Sequence, residues 1–190
     1  ESNEIYGCDG DDEITGGAGS DYGHGGIGND VFVAHSDDGD DDYEGWDGDD
    51  TYDASQTTAD ATIDLSQGYA SSDQIGYDTL HNVENAVGGE GDDIIVANEE
   101  QNVLVDGGGF DMFVFLEGNK SGKGGHNRDR IDDFEVGDRI DVSGISGDAE
   151  DDGWQRLTFR YDQATFDGAG QVIFRYEDDD GDGFTLLRFN

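Results

Sequence analysis

Lysine and arginine are missing from the first 119 residues of this 190-residue chain. All nine basic side chains lie from Lys120 to Arg188, against 48 Asp and Glu, giving a formal net charge of −39. Of those acids, 31 fall in the cation-free part. That part either stays extended by self-repulsion or is neutralised by bound metal cations. A single cysteine, Cys8, excludes an internal disulfide framework. Proline is absent. No apolar run approaches the ~18 residues of a membrane helix. No basic stretch followed by an apolar run marks a signal peptide, and the chain opens almost directly on a repeat. It is therefore expected to be a fragment or mature portion of a longer protein. The acidity would repel phosphates, which argues against nucleic acid as a partner. H-E-x-x-H, G-x-S-x-G and G-x-x-x-x-G-K-[ST] are all missing, so zinc-protease, hydrolase and phosphate-loop chemistry lack their motifs. The histidines His24, His35, His81 and His126 are scattered.

What is abundant is glycine, 32 residues, and it recurs in phase with aspartate. Residues 7–33 repeat one nine-residue phrase from Gly7, Gly16 and Gly25, with glycine fourth, aspartate sixth and an apolar residue eighth. After Ala34-His35 the register resumes at Ser36 and Gly45. The inserted pair predicts a widened turn or bulge. Eighth positions are Ile14, Gly23, Phe32, Tyr43 and Tyr52, and Gly23 predicts a thin spot in its rung. A second block starts at Gly88, Ala97 and Asp106; its middle copy has Asn102 for aspartate and no turn glycine, which predicts a weak ion site or none. The phrase matches the calcium β-helix nonapeptide. Glycines permit φ > 0 and close carbonyl approach, and carboxylates are hard oxygen ligands for Ca²⁺. A halophile-type acidic surface would explain the charge but not the period.

Between the blocks, Ala61–Leu65 alternates and reads as a strand, Tyr69–Tyr77 as a loop, and Asp78–Val87 as one strand rung. We read 54–87 as a continuation of the roll. Glu117–Gly125 is a glycine-rich basic loop. Arg156–Tyr161, Gln171–Tyr176 and Phe184–Phe189 alternate as strands.

On the repeats at 7–53 and 88–114 the chain resembles the RTX (hemolysin-type calcium-binding repeat) family. Asp129–Ser143, with its D-x-I-x-D-F-x-x-G-D-x-I-D-x-S pattern, resembles the serralysin-type C-terminal domain, and similar segments occur in alginate-epimerase repeat modules. The resemblance implies an all-β fold: a parallel β-roll over residues 1–119 and a β-rich C-terminal cap over 120–190. It implies several Ca²⁺ ions, held by sixth-position Asp12, Asp21, Asp30, Asp41, Asp50, Asp93 and Asp111. Third-position Asp9, Asp38 and Asp47 would add ligands. So would turn residues Gly7, Gly10, Gly17, Gly19, Gly26, Gly28, Gly39, Gly48, Gly89, Gly91, Gly107 and Gly109. Asp178, Asp180 and Asp182 resemble a short calcium loop without its closing glutamate, and a plain acidic hairpin turn is the alternative.

The resemblance further implies a secreted, extracellular module exported through a type I secretion apparatus and folding on Ca²⁺. Two functions stay open: a non-catalytic folding and secretion module, or a repeat module or tail serving a secreted epimerase or serralysin-like protease. Acid pairs could in principle form a glycosidase dyad, but calcium ligation accounts for most of them. An acidic polysaccharide could be bound by Arg156, Arg160 and Arg175 beside Trp154; pairing of these arginines with neighbouring acids is the alternative. Trp46 and Trp154 are read as packing residues ahead of sugar-stacking platforms.

Overall fold

The computed structural model describes residues 2–116 and 129–144, together with the strands 158–161, 171–179 and 182–189. In chain order the strands are β1 (Glu4–Asp9), β2 (Glu13–Ile14), β3 (Tyr22–Ile27), β4 (Val31–Val33), β5 (Asp42–Asp47) and β6 (Thr51–Asp53). They continue as β7 (Thr62–Asp64), β8 (Tyr69–Ser72), β9 (Gly76–His81), β10 (Asn85–Val87), β11 (Ile94–Val96) and β12 (Val103–Val105). The last six are β13 (Met112–Leu116), β14 (Arg130–Asp132), β15 (Arg139–Gly144), β16 (Thr158–Tyr161), β17 (Gln171–Asp179) and β18 (Asp182–Phe189). The fold is all-β, as the repeats predict.

Each nonapeptide supplies one short strand and one turn, so successive strands alternate between two sheets. Sheet A has the order β1-β3-β5-β9-β8-β7-β11-β13-β15, and sheet B the order β16-β17-β18-β14-β12-β10-β6-β4-β2. Within the repeat blocks all pairings are parallel, the geometry of a β-roll. The step between stacked coils is 18 residues from Asp12 to Asp30 and 20 from Asp30 to Asp50. The Ala34-His35 insertion therefore sits in a wider turn, where Asp37 adopts φ 66°.

Eighth-position side chains fill the interior. Ile14, Phe32, Tyr52 and Leu104 come from sheet B and Tyr43, Ile95 and Phe113 from sheet A, all buried in one core. Burying each large side chain stabilises the roll by about 1.5–3 kcal/mol, which opposes the repulsion of the acidic edges. Gly23 is no thin spot. A Cβ there would lie 2.8 Å from Cδ1 of Tyr43, whose ring occupies the space and packs on Phe32 at a centroid distance of 4.9 Å.

Residues 69–77 correct the expectation of a loop. Tyr69–Ser72 forms β8, antiparallel to both β7 and β9. The fully buried Ala70 is its sole contribution to the core cluster. The expected single rung at 78–87 is two strands in different sheets, β9 and β10. The roll does continue through 54–87, but a three-strand meander stands where one strand would suffice. Sheet A is thereby wider by two strands than sheet B at this level.

Parallel stacking extends beyond the second repeat block: β14 pairs with β12 and β15 with β13. The hairpin β17–β18 joins sheet B where Ile131 pairs with Thr185. The basic loop of 117–125 lies outside the described residues, as do Trp154, Arg156 and Asp180. Arg160, Arg175, Asp178 and Asp182 are placed as backbone positions of β16, β17 and β18. Trp46 is not a packing residue; it is 57% exposed.

Candidate metal centre

The roll has two edges where the chain crosses between sheets, and each carries a ladder of carboxylates. On the A-to-B edge, Asp30 Oδ1 accepts the backbone N–H of Asp12 at 2.8 Å, and Asp50 Oδ1 accepts that of Asp30 at 2.8 Å. Glu84 Oε2 then accepts that of Asp50 at 2.9 Å. On the B-to-A edge, Asp41 accepts from Asp21 at 2.8 Å and Asp78 from Asp41 at 2.9 Å. Past the meander, Asp93 accepts from Ala61, Asp111 from Asp93 and Asp138 from Asp111, at 2.7, 2.7 and 3.2 Å. Each bond ties one coil to the next through a charge-assisted contact.

These bonds use one oxygen of each carboxylate. The Oδ2 atoms of Asp12, Asp21, Asp30, Asp50 and Asp129 are buried with no hydrogen-bond partner. Such groups are costly unless something pairs with them. The turn glycines let that oxygen approach the backbone closely: a Cβ at Gly25 would lie 2.1 Å from Asp30 Oδ2, and one at Gly45 2.2 Å from Asp50 Oδ2. Carbonyls crowd the same edges. Gly28, at φ 137°, brings its Cα so near Gly10 that a Cβ would lie 2.2 Å from the Gly10 carbonyl oxygen; Gly109 does the same to Gly91 at 2.2 Å. Buried carboxylate oxygens beside glycine carbonyls, with no lysine or arginine in residues 1–119, are a donor set that fits a hard divalent ion such as Ca²⁺.

Of the other turn glycines predicted from sequence, Gly10, Gly17, Gly19, Gly39, Gly48, Gly89 and Gly107 fall between strands at these crossings, while Gly7 and Gly26 lie within β1 and β3. The third-position residues differ. Asp38 is 2% exposed, and its Oδ2 accepts the His35 N–H at 2.9 Å. Asp9 and Asp47 end β1 and β5 with exposed side chains.

One group of carboxylates was not legible in the repeat pattern. Asp106, Asp111 and Asp138 each offer an oxygen within 4.8 Å of the others. Asp106 is 1% exposed, and neither of its oxygens has a hydrogen-bond partner. Asp133 adjoins, accepting the N–H groups of Asp106 and Gly107 at 3.2 and 3.3 Å. Burial, with Asp133 and Asp138 beside it, pushes the Asp106 carboxyl well above the usual carboxylate range. Asp106 stands at a first position, where glycine is expected, and Asp133 and Asp138 come from the D-F-x-x-G-D segment. Sequence reasoning also missed Asp78, Glu84 and Asp129, which take sixth-position places in the ladders without nonapeptides around them.

Burial is the largest cause of the raised carboxyls elsewhere in the ladders. It pushes Asp50 and Asp93 up to about 6 and Asp78 and Asp129 up to about 7. Tyr52 donates its hydroxyl hydrogen bond to Asp78, and Tyr43 donates to Asp41 at 3.0 Å, so two core rings support the B-to-A ladder. At Asn102 an amide replaces the carboxylate. Its Nδ2 donates to Glu84 O at 2.6 Å and to Asn98 Oδ1 at 2.7 Å, satisfying with protein atoms the place that an orphaned oxygen holds elsewhere.

Comparison with curated proteins gives no match. Two family models match. The RTX calcium-binding nonapeptide repeat (4 copies) covers residues 1–32, and repeats of this type bind Ca²⁺. The peptidase M10 serralysin C-terminal model covers residues 22–189. Both kinds of domain are typical of secreted proteins. The second match runs through both ladders, the meander and the closing strands, which places the chain: it belongs to the peptidase M10 serralysin C-terminal family.

Proposed function

We propose that this chain is a calcium-gated folding module of an extracellular protein. The observation that carries the reading is the set of buried, unpartnered carboxylate oxygens on both edges of the roll. Folding without cations would bring these charges out of water and together, at a cost the apolar core must overcome. Ca²⁺ at Asp12, Asp21, Asp30, Asp41, Asp50, Asp93 and Asp111, with the glycine carbonyls of the adjoining turns, removes that cost. Binding free energy then becomes folding free energy. Extracellular calcium modules have dissociation constants of about 10⁻⁴–10⁻³ M, so the chain stays unfolded in cytosol and folds outside the cell. Export as an unfolded chain through a type I apparatus follows the family resemblance.

In this reading residues 1–119 are the roll and 120–190 its cap, with β14 and β15 adding coils to it. The module itself performs no catalysis. Acidic-polysaccharide binding at Arg156, Arg160 and Arg175 is a separate proposal that rests on sequence alone; an alginate-binding assay on an Arg160→Ala, Arg175→Ala variant tests it. For calcium-gated folding, the test is hydrodynamic radius in chelator against millimolar calcium. The expected result is an expanded chain that compacts on calcium addition. A compact chain in chelator overturns the reading.

A further inference from the structure

The meander creates a feature beside the A-to-B ladder, whose Glu84 lies on its wall. On the A-to-B edge, β7 does not cross to sheet B but turns back at Leu65 into β8. A crossover is missing there, between the turn after β9 and the turn before β12. The gap is a pocket of about 520 Å³. That volume is on the scale of small-molecule sites and far larger than one ion needs. Its wall is mainly polar, with the buried Leu65, Leu80 and Val83 behind it and the exposed Trp46 among its lining residues.

Trp46 is an unusual residue in its place. It occupies the second repeat position, where Gly26 stands in the preceding coil, and the two are register partners. Its backbone is held at φ 83°, a region bulky side chains avoid, while its side chain is 57% exposed. Positive φ belongs to this repeat position, with Cys8 at 84° and Gly26 at 120°; what sets Trp46 apart is a large exposed ring at that place. An aromatic row leads up to it across the outer face of sheet A. Ring centroids are 6.2 Å apart for Tyr6 and Tyr22, 5.9 Å for Tyr6 and His24, and 5.6 Å for His24 and Trp46.

We infer that this pocket, with the aromatic row beside it, binds an uncharged saccharide chain. The chemistry selects the class. Asp49 and Glu100 supply carboxylate acceptors for hydroxyl groups, and Gln101 an amide that both donates and accepts, while Glu84 is held in the ladder and the Asn82 amide donates to Glu44. The exposed indole face of Trp46 suits the C–H face of a sugar ring, an amphipathic body with a polar rim. No lysine or arginine lines the pocket, so an anionic uronate would meet only carboxylates. A row of rings running across β1, β3 and β5, exposed at Tyr6 and Trp46 and half-buried at Tyr22 and His24 between them, suits an extended polymer better than a compact ion or a lone amine. This site involves none of Arg156, Arg160 and Arg175, and it requires only that the roll be folded.

The test is calorimetric binding to the calcium-loaded full chain. The probes are short oligomers of glucose, mannose and xylose, with an alginate oligomer and a lysine peptide as anionic and cationic comparisons. At least one neutral oligomer is expected to bind. Trp46→Ala should weaken it about tenfold, the scale of one lost aromatic contact and its buried area, and Trp46→Phe should lose less because a ring is kept. Circular dichroism with calcium confirms that each variant folds. No neutral oligomer binding, equal affinity in Trp46→Ala, or binding of the alginate oligomer or the lysine peptide alone would overturn the inference.

Discussion

Asp30 accepts the backbone N–H of Asp12 at 2.8 Å with one carboxylate oxygen, and its other oxygen is buried without a partner. The same residue thus staples two coils and offers a ligand atom. Asp30→Asn would keep an oxygen for the staple but place an amide where the free oxygen stands. The calcium midpoint for folding is expected to rise about tenfold, the equivalent of about 1.4 kcal/mol for one lost charged ligand. Calcium titration followed by tryptophan fluorescence measures it.

Asn102 is the converse case. Asn102→Asp removes the two bonds its amide donates to Glu84 O and Asn98 Oδ1 and adds a buried negative charge. A loss of about 1–3 kcal/mol is expected, read as a lower melting temperature at fixed calcium. A stabilised variant would mean that this turn is built to hold an ion as well.

At Gly23, the repeat pattern alone invites an apolar residue. Tyr43 Cδ1 lies 2.8 Å from where a Cβ would stand, so Gly23→Val should overpack the rung and destabilise by about 1–3 kcal/mol. Thermal unfolding of the calcium-loaded variant decides it.

Trp46→Gly should act in the opposite sense. Its φ of 83° costs a non-glycine residue about 1–2 kcal/mol, and the exposed ring returns little of that. The variant is expected to melt higher, by a shift corresponding to about 1 kcal/mol.

Acid should partly replace calcium. In the folded chain burial raises Asp78 and Asp129 to about 7 and Asp50 and Asp93 to about 6, above the ordinary carboxylate range of about 4. The folded state therefore binds protons more tightly than the unfolded state. These groups favour folding most below about pH 4, and that contribution is lost as pH rises through 6 to 7. In chelator, far-UV circular dichroism should show structure gained between pH 7 and about pH 4. With calcium bound the order reverses, because protons compete for the ligands.

Much of this was legible in the sequence because a period of nine ties turn chemistry to strand chemistry. Ile14, Phe32, Tyr43, Tyr52, Ile95, Leu104 and Phe113 point inward where the eighth position places them. The meander was hidden. Tyr69-Ala70-Ser71-Ser72 buries one small side chain and has no apolar alternation, and its strand is specified by pairing on both sides. Asp78, Glu84 and Asp129 escaped notice because their ladder places come from stacking across 37, 34 and 27 residues, distances that no nine-residue window spans. Asp106 was missed for another reason: it fills a glycine position, and its partners arrive from a different motif.

The central claim is that calcium, and not the apolar core alone, holds the two ladders together. Far-UV circular dichroism of the full chain at pH 7, titrated with calcium from chelator to millimolar, tests it most directly. The account predicts a disordered spectrum in chelator that converts cooperatively to β-structure, with magnesium far less effective because the edges offer many oxygens at irregular geometry. A β-rich spectrum in chelator, unchanged by calcium, would contradict it.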